Sequence, residues 1–392
     1  MNARRVTRWS RAFVAAGVAF FLATHLAIAA GLGRRTVVTL GLYGFVFHVL
    51  FGKAYALVPS FFDRELQTAT PLPVHAALSV SGTIALALDS VGVTGQSWLG
   101  SAGGVLWALG VAAFLGTLSW SVRDNLSGAA TGTGGANADR RLVDRRANAV
   151  VPVACGYLAV VALVRLLGPV GWPALTPPQV SHLLAAGTAA LLVFGVGFRL
   201  FPRFLGTYPP QRSVPVVLVS GAVAPVALAV GLFDRRLLFL GGVVEAVAVA
   251  GFAVTYLVLF LRSDRHRVGL WAVAFAVLAG VGGVALGLTI ALVGRDPALV
   301  TAHYRTMLLG FLGLTVVGAT FQFYPPSVGR WPLASDRTAR VAVALLAAGL
   351  LGQGLGLLVD VSPVEMLGQG VGVVGAGLYA WLVAAAFRSR TT

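Results

Sequence analysis

Charge is scarce in this chain, and acidic charge most of all: 11% of the 392 residues are Asp, Glu, Lys or Arg, and only 13 are acidic. A soluble globular domain carries about a quarter charged residues, so that class is excluded. There is one cysteine, Cys155. A single thiol rules out an intramolecular disulfide framework, a four-cysteine metal or iron–sulfur site, and a C-x-x-C-H haem attachment. What fills the composition instead is 57% hydrophobic residues and 49 glycines, with a mean hydropathy of +0.86. That combination fits helices packed closely in lipid, whereas a disordered chain would be polar and poor in aromatics.

A helix crosses the hydrocarbon with about 20 apolar residues. Twelve such runs are predicted, at 12–30, 36–59, 74–93, 99–121, 148–168, 179–202, 213–232, 237–261, 268–293, 300–325, 337–359 and 362–387. The first follows Arg4, Arg5, Arg8 and Arg11. Its apolar stretch is long for a signal peptide, so it is read as a membrane helix. With the N-terminus inside, 20 of the 29 Lys and Arg fall on cytoplasmic segments and only Arg34, Arg35, Arg235, Arg236 and Arg295 face outward. This bias places both termini in the cytoplasm and the chain in the cytoplasmic membrane. The net charge of +16 is spread over loops, so it encodes orientation and implies no nucleic-acid partner.

One spacing recurs. Gly44, Gly52, Tyr55 and Pro59 in helix 2, Gly187, Gly195, Phe198 and Pro202 in helix 6, and Gly310, Gly318, Phe321 and Pro325 in helix 10 share G-x7-G-x2-aromatic-x3-P without a gap. Glycines at this spacing lie on nearly one helix face and permit close backbone approach. The prolines are 143 and 123 residues apart. The longer interval contains the Gly/Ala/Thr-rich stretch Ser127 to Ala138 and four arginines, which reads as a mobile linker. The organisation expected is an all-α polytopic membrane protein of three pseudo-symmetric four-helix units: 1–121, then a linker over 122–147, then 148–261 and 262–392. A transporter of two six-helix halves would relate helix 2 to helix 8, and helix 8 lacks the pattern.

Ala302-His303-Tyr304, the Gly310 to Gly318 stretch, Phe321-Gln322-Phe323-Tyr324-Pro325 and the ends of helices 2 and 6 resemble haem-copper oxidase subunit I, the superfamily of cytochrome oxidases and nitric oxide reductases. The NnrS-like branch, also of twelve helices, is a similar relative. The resemblance implies three four-helix arcs with ligands on helices 2, 6, 7 and 10. The family's His-x-His on helix 10 becomes His303-x-Arg305 here, Thr36 to Thr39 replace the helix 2 ligand, and helix 7 has no histidine. Copper at the oxidase position is therefore not expected, and the incomplete ligand set gives no basis for assigning an enzymatic activity.

Six histidines remain to be placed. His266 lies among loop charges and His75 at the start of helix 3, where solvated or capping roles are expected. His48 is about 16 Å of helix from Pro59, inside the bilayer, where a polar interior contact is expected before ligation. His182 and His303 lie about 30 and 33 Å from their prolines, and His25 is near the same outer level. Together they suggest either an axial pair for a b-type haem with a third neighbour or a three-histidine metal site. Without gaps His182 aligns with Arg305 and not with His303, so the two histidines are expected to differ in facing. Arg305 is offered a haem propionate or a lipid phosphate. Lys53, Arg199 and Glu245 are intramembrane charges expected to face the interior. Lys53 and Arg199 can snorkel, whereas Glu245 must be protonated, paired with a cation or part of a proton path. Three functions stay open: a haem or metal protein for electron transfer, gas binding or sensing, partnered by redox or oxidase subunits; a proton- or ion-coupled transporter; and a cofactor-free structural or assembly subunit.

Overall fold

The computed structural model describes residues 2–92 and 98–389. The chain is 83% helix without strands among these residues, as an apolar chain in lipid must be to satisfy its own backbone. Twelve helices are long and apolar enough to cross a membrane: α1 (Ala3–Ala29), α2 (Arg34–Phe61), α3 (Leu72–Val91), α4 (Trp98–Val122), α5 (Gly135–Val170), α6 (Pro177–Leu205), α7 (Ser213–Gly231), α8 (Arg235–Leu261), α9 (Val268–Val293), α10 (Pro297–Phe323), α11 (Asp336–Leu358) and α12 (Ser362–Arg388). The twelve expected runs match these one to one. Two begin well before the apolar run does, because arginines at a helix start cost nothing where the helix stands in water: α1 takes in Arg4 to Arg11 and α5 takes in 135–147, the second half of the expected linker.

Three helices are central. Their most apolar windows are 78% buried in α2 and 67% in both α6 and α10, against at most half in every other helix. The three touch one another at mid-length, and the others form a ring around them that closes where α1 packs on α12. The repeated glycines explain the approach. A side chain at Gly44 would strike Phe20 and one at Gly52 would strike Phe13 and the Ser10 carbonyl, all on α1. Gly187 and Gly195 press in the same way on Tyr157, Val150 and the Ala147 carbonyl of α5, and Gly310 and Gly318 on Ala279 and Gly269 of α9. The aromatic that follows each pair then packs on the ring of a later helix: Tyr55 on Phe114, Phe198 on Phe252 and Phe321 on Tyr379. The spacing is thus a packing device used three times.

Each central helix also widens into a π-helical stretch, over Thr39–Val46, Leu183–Ala190 and Thr306–Leu314. The three stretches begin 20, 19 and 19 residues before Pro59, Pro202 and Pro325. Such segments are rare and gather at functional positions. Where the stretch in α2 ends, the Phe47 amide bonds Leu42 five residues back. Pairing then returns to four residues, which skips the Tyr43 carbonyl. His48 Nδ1 lies 3.0 Å from that oxygen and 2.7 Å from the Gly44 oxygen, so the buried ring caps the gap.

Between α3 and α4 the contact is backbone on backbone: a Cβ at Gly82 would stand 2.5 Å from the Trp107 nitrogen and 2.8 Å from the Gly103 oxygen. Gly82→Leu is expected to destabilise the protein by about 1–3 kcal/mol through overpacking. Gly116→Leu, which meets nothing within 4 Å, should stay within about 0.5 kcal/mol of the parent. Thermal unfolding of the detergent-purified variants checks both.

Candidate functional site

At the end of α10 remote from Pro325, His303 and Arg305 point to opposite sides, as residues two apart on a helix must. His303 faces α9, where its Nδ1–H donates to the Gly283 carbonyl at 2.8 Å. Gly287 makes room for the ring, since a Cβ there would lie 3.0 Å from Cε1. A carbonyl only accepts, so Nδ1 carries the hydrogen and Nε2 keeps its lone pair. His182, the last α-helical residue before the π stretch of α6, is held alike: its Nδ1–H donates to Pro178 at 2.8 Å. Both rings are half-buried. His182 keeps the place that the ungapped repeat gives it, opposite Arg305: each is the last α-helical residue before its π stretch.

Arg305, the last α-helical residue before the π stretch of α10, faces α11 and α12. Its Nη1 pairs with Glu365 at 2.8 Å and lies 3.5 Å from Gln353 Oε1. The partner expected outside the chain is therefore supplied within it. Gln369 donates to the same carboxylate at 2.9 Å.

His25 belongs to this second group. Its ring sits edge-on to Phe21 at 4.7 Å and fills the space that Gly372 leaves open beside Gln353. Its Nε2 is buried with no partner. Of the three histidines expected at one site, His303 faces α9, His25 lies toward α11 and α12, and His182 bonds within its own helix. Among the described residues no three His, Cys, Asp or Glu are grouped to hold a metal ion.

His75 was expected at the water boundary and is instead fully buried. Its Nδ1 is 2.8 Å from the Tyr55 hydroxyl, and Phe13, Phe51 and Phe114 surround it at 4.7, 4.6 and 5.6 Å. His48 shares this aromatic cage through Phe13 and Phe51. The Nε2 atoms of both rings are buried and unpartnered.

Neither buried cation snorkels. Lys53 Nζ bonds the Tyr324 hydroxyl at 2.8 Å and lies 4.2 Å from the Phe323 ring, so it joins α2 to α10. Arg199 is 5% exposed and donates to Phe61 O at 2.8 Å, Asn148 Oδ1 at 2.6 Å and Thr131 O at 3.1 Å. Its Nε is 3.5 Å from Asp144, which also takes Arg203 at 2.6 Å and the Thr133 hydroxyl at 2.5 Å. The stretch expected to be a mobile linker is therefore tied down. Thr131 and Thr133 are buried in it, and Asn125 donates to Phe62 O and Ala130 O at 2.8 Å each. Outside the membrane, the Arg64 guanidinium 3.0 Å from Asp124 holds that carboxyl below the usual carboxylate range.

Glu245 of α8 stands apart. It is 4% exposed, and neither carboxyl oxygen has a hydrogen-bond partner.

No family model matches the chain, and no curated protein aligns with it.

Removing the carboxylate that gathers Arg199, Arg203 and Thr133 leaves buried positive charge without compensation. Asp144→Ala should cost about 3–5 kcal/mol and open the preceding segment, measured as a lower melting temperature together with new trypsin cleavage at Arg140 and Arg141.

Proposed function

We propose that the protein is a multi-pass protein of the cytoplasmic membrane, with both termini inside, that holds a b-type haem through His182 and His303 and serves electron transfer, gas binding or sensing. The observation that carries this reading is the matched preparation of the two rings. Each donates Nδ1–H to a backbone carbonyl at 2.8 Å, the outer hydrogen bond that fixes tautomer and orientation in metal-ligating histidines, and leaves Nε2 as its donor atom. The π stretches that follow on α6 and α10 touch one another. Bound there, haem would supply reversible one-electron chemistry or an iron for a diatomic ligand. The protein's part is to hold the two imidazoles and keep the site within packed helices.

The threefold use of the glycine spacing, the inner position of α2, α6 and α10 and their π stretches support membership in the haem-copper oxidase subunit I superfamily, with three four-helix units at 1–121, 148–261 and 262–392. Arg305 fits the reading in a changed role: occupied by Glu365, it stiffens the helix that carries His303. His25, on the far side of Gln353, is not one of the ligands.

The detergent-purified protein should show a Soret band and, when reduced, split α and β bands. His182→Ala or His303→Ala should abolish them, while His25→Ala leaves them in place. A colourless preparation, or a spectrum indifferent to both substitutions, overturns the reading.

Glu245 favours a second function, proton or ion movement, because an unpartnered carboxyl within the membrane is a functional group before it is a structural one. In proteoliposomes carrying an internal pH dye, Glu245→Gln should reduce proton flux to that of protein-free vesicles. Unchanged flux removes Glu245 from any path.

A further inference from the structure

The N-terminal half of α1 carries Arg4, Arg8 and Arg11 at i, i+4 and i+7, so the three guanidiniums form one stripe over about 10 Å of helix. They line a groove of about 700 Å³ whose other walls include Ala12, Ala15 and Phe387 at the end of α12. The groove has a gradient along its length, with cations at the terminus of α1 and small apolar side chains deeper in. No acidic residue occurs in α1, and the one acidic residue of α12, Glu365, lies at the opposite end of that helix and is paired with Arg305. Among the described residues none of the three arginines enters a salt bridge. Arg11 goes further: its Nε is buried and has no hydrogen-bond acceptor.

The geometry points to a bound anionic phospholipid. Its phosphate oxygens accept from Arg8 and Arg11, with Arg4 at the rim, and its acyl chains lie over Ala12, Ala15 and Phe387. Arginine is suited to this contact, since its planar fork matches a phosphate in two-point geometry. A soluble anion would use only the charged end, and a zwitterionic lipid would bring its own cation into a stripe already positive. The occupant with the gradient of the groove is an amphiphile with net negative charge at one end. By closing the outer edge of the α1–α12 contact, it holds together the seam at which the ring of helices closes.

Native mass spectrometry of the full-length protein, purified in detergent and offered equal amounts of phosphatidylglycerol and phosphatidylcholine, tests this. The protein should retain phosphatidylglycerol with at least about tenfold preference, as two arginines near a membrane surface confer. Arg8→Gln/Arg11→Gln should return the ratio to near parity, while Arg337→Gln/Arg340→Gln, which removes equal charge from another helix start, should leave it unchanged. Ala15→Trp fills the apolar end without touching a charge and should also lower retention, which keeps the test decisive if the arginine variant does not fold. Parity in the unaltered protein, preference persisting in Arg8→Gln/Arg11→Gln, an equal loss in the Arg337/Arg340 variant, or displacement of the lipid by excess inorganic phosphate overturns the site.

Discussion

Everything in this structure depends on how closely three inner helices approach one outer neighbour each. Lipid offers no hydrophobic reward for bringing two apolar helices together, so the gain comes from dispersion contacts that need atoms in register at short range. Gly44 and Gly52 give α1 that approach, Gly187 and Gly195 give it to α5, and Gly310 and Gly318 give it to α9. With those distances fixed, the aromatic three residues beyond each second glycine is placed against a later helix. The central trio is then enclosed, and polar groups inside it must find partners within the protein.

The π stretches are the second consequence of that enclosure. Each lies where the central helices meet, and each changes the direction in which residues on either side of it point. In α2 it leaves a carbonyl that His48 covers. In α6 and α10 the residue at its threshold is His182 or Arg305. One backbone device thus follows a valine, Val38, in α2, an imidazole in α6 and a guanidinium in α10.

How much of this could be read from residues alone divides along one line. The number of spans was legible because a membrane demands about 20 apolar residues each time, and so was the close approach of helices 2, 6 and 10 to neighbours, because that approach demands glycine at a repeated position. The hydrogen bond of His303 to α9 was not legible, since its acceptor is the backbone carbonyl of a glycine, Gly283, which no side chain marks. Arg305 was expected to meet a haem propionate or a lipid phosphate and Arg199 to face the interior or snorkel, and their partners within the chain were not read. Glu365 looks like an ordinary first-turn acid of α12, which complements the helix dipole by itself. Asp144 sits in Arg140-Arg141-Leu142-Val143-Asp144-Arg145-Arg146, a run with the composition of a solvated loop. A signal was present, because Asp144 and Asn148 are four apart and share a helix face, and that is the face Arg199 meets.

The division of the histidines follows from the same geometry. A helix that carries His303 and Arg305 two residues apart must address two sides, and here each side is already committed by its neighbours: α9 presents glycines and a carbonyl to the imidazole, while α11 and α12 present Gln353 and Glu365 to the guanidinium. An ion-paired arginine excludes a ligand from its own side, since a bound anion would have to displace a carboxylate that no other cation compensates. His25 packs with its ring on Phe21 and its Nδ1 edge toward Gly372, while its Nε2 is buried without a partner. Arg305 thus ties α10 to α11 and α12 from the side opposite the one on which His303 meets α9.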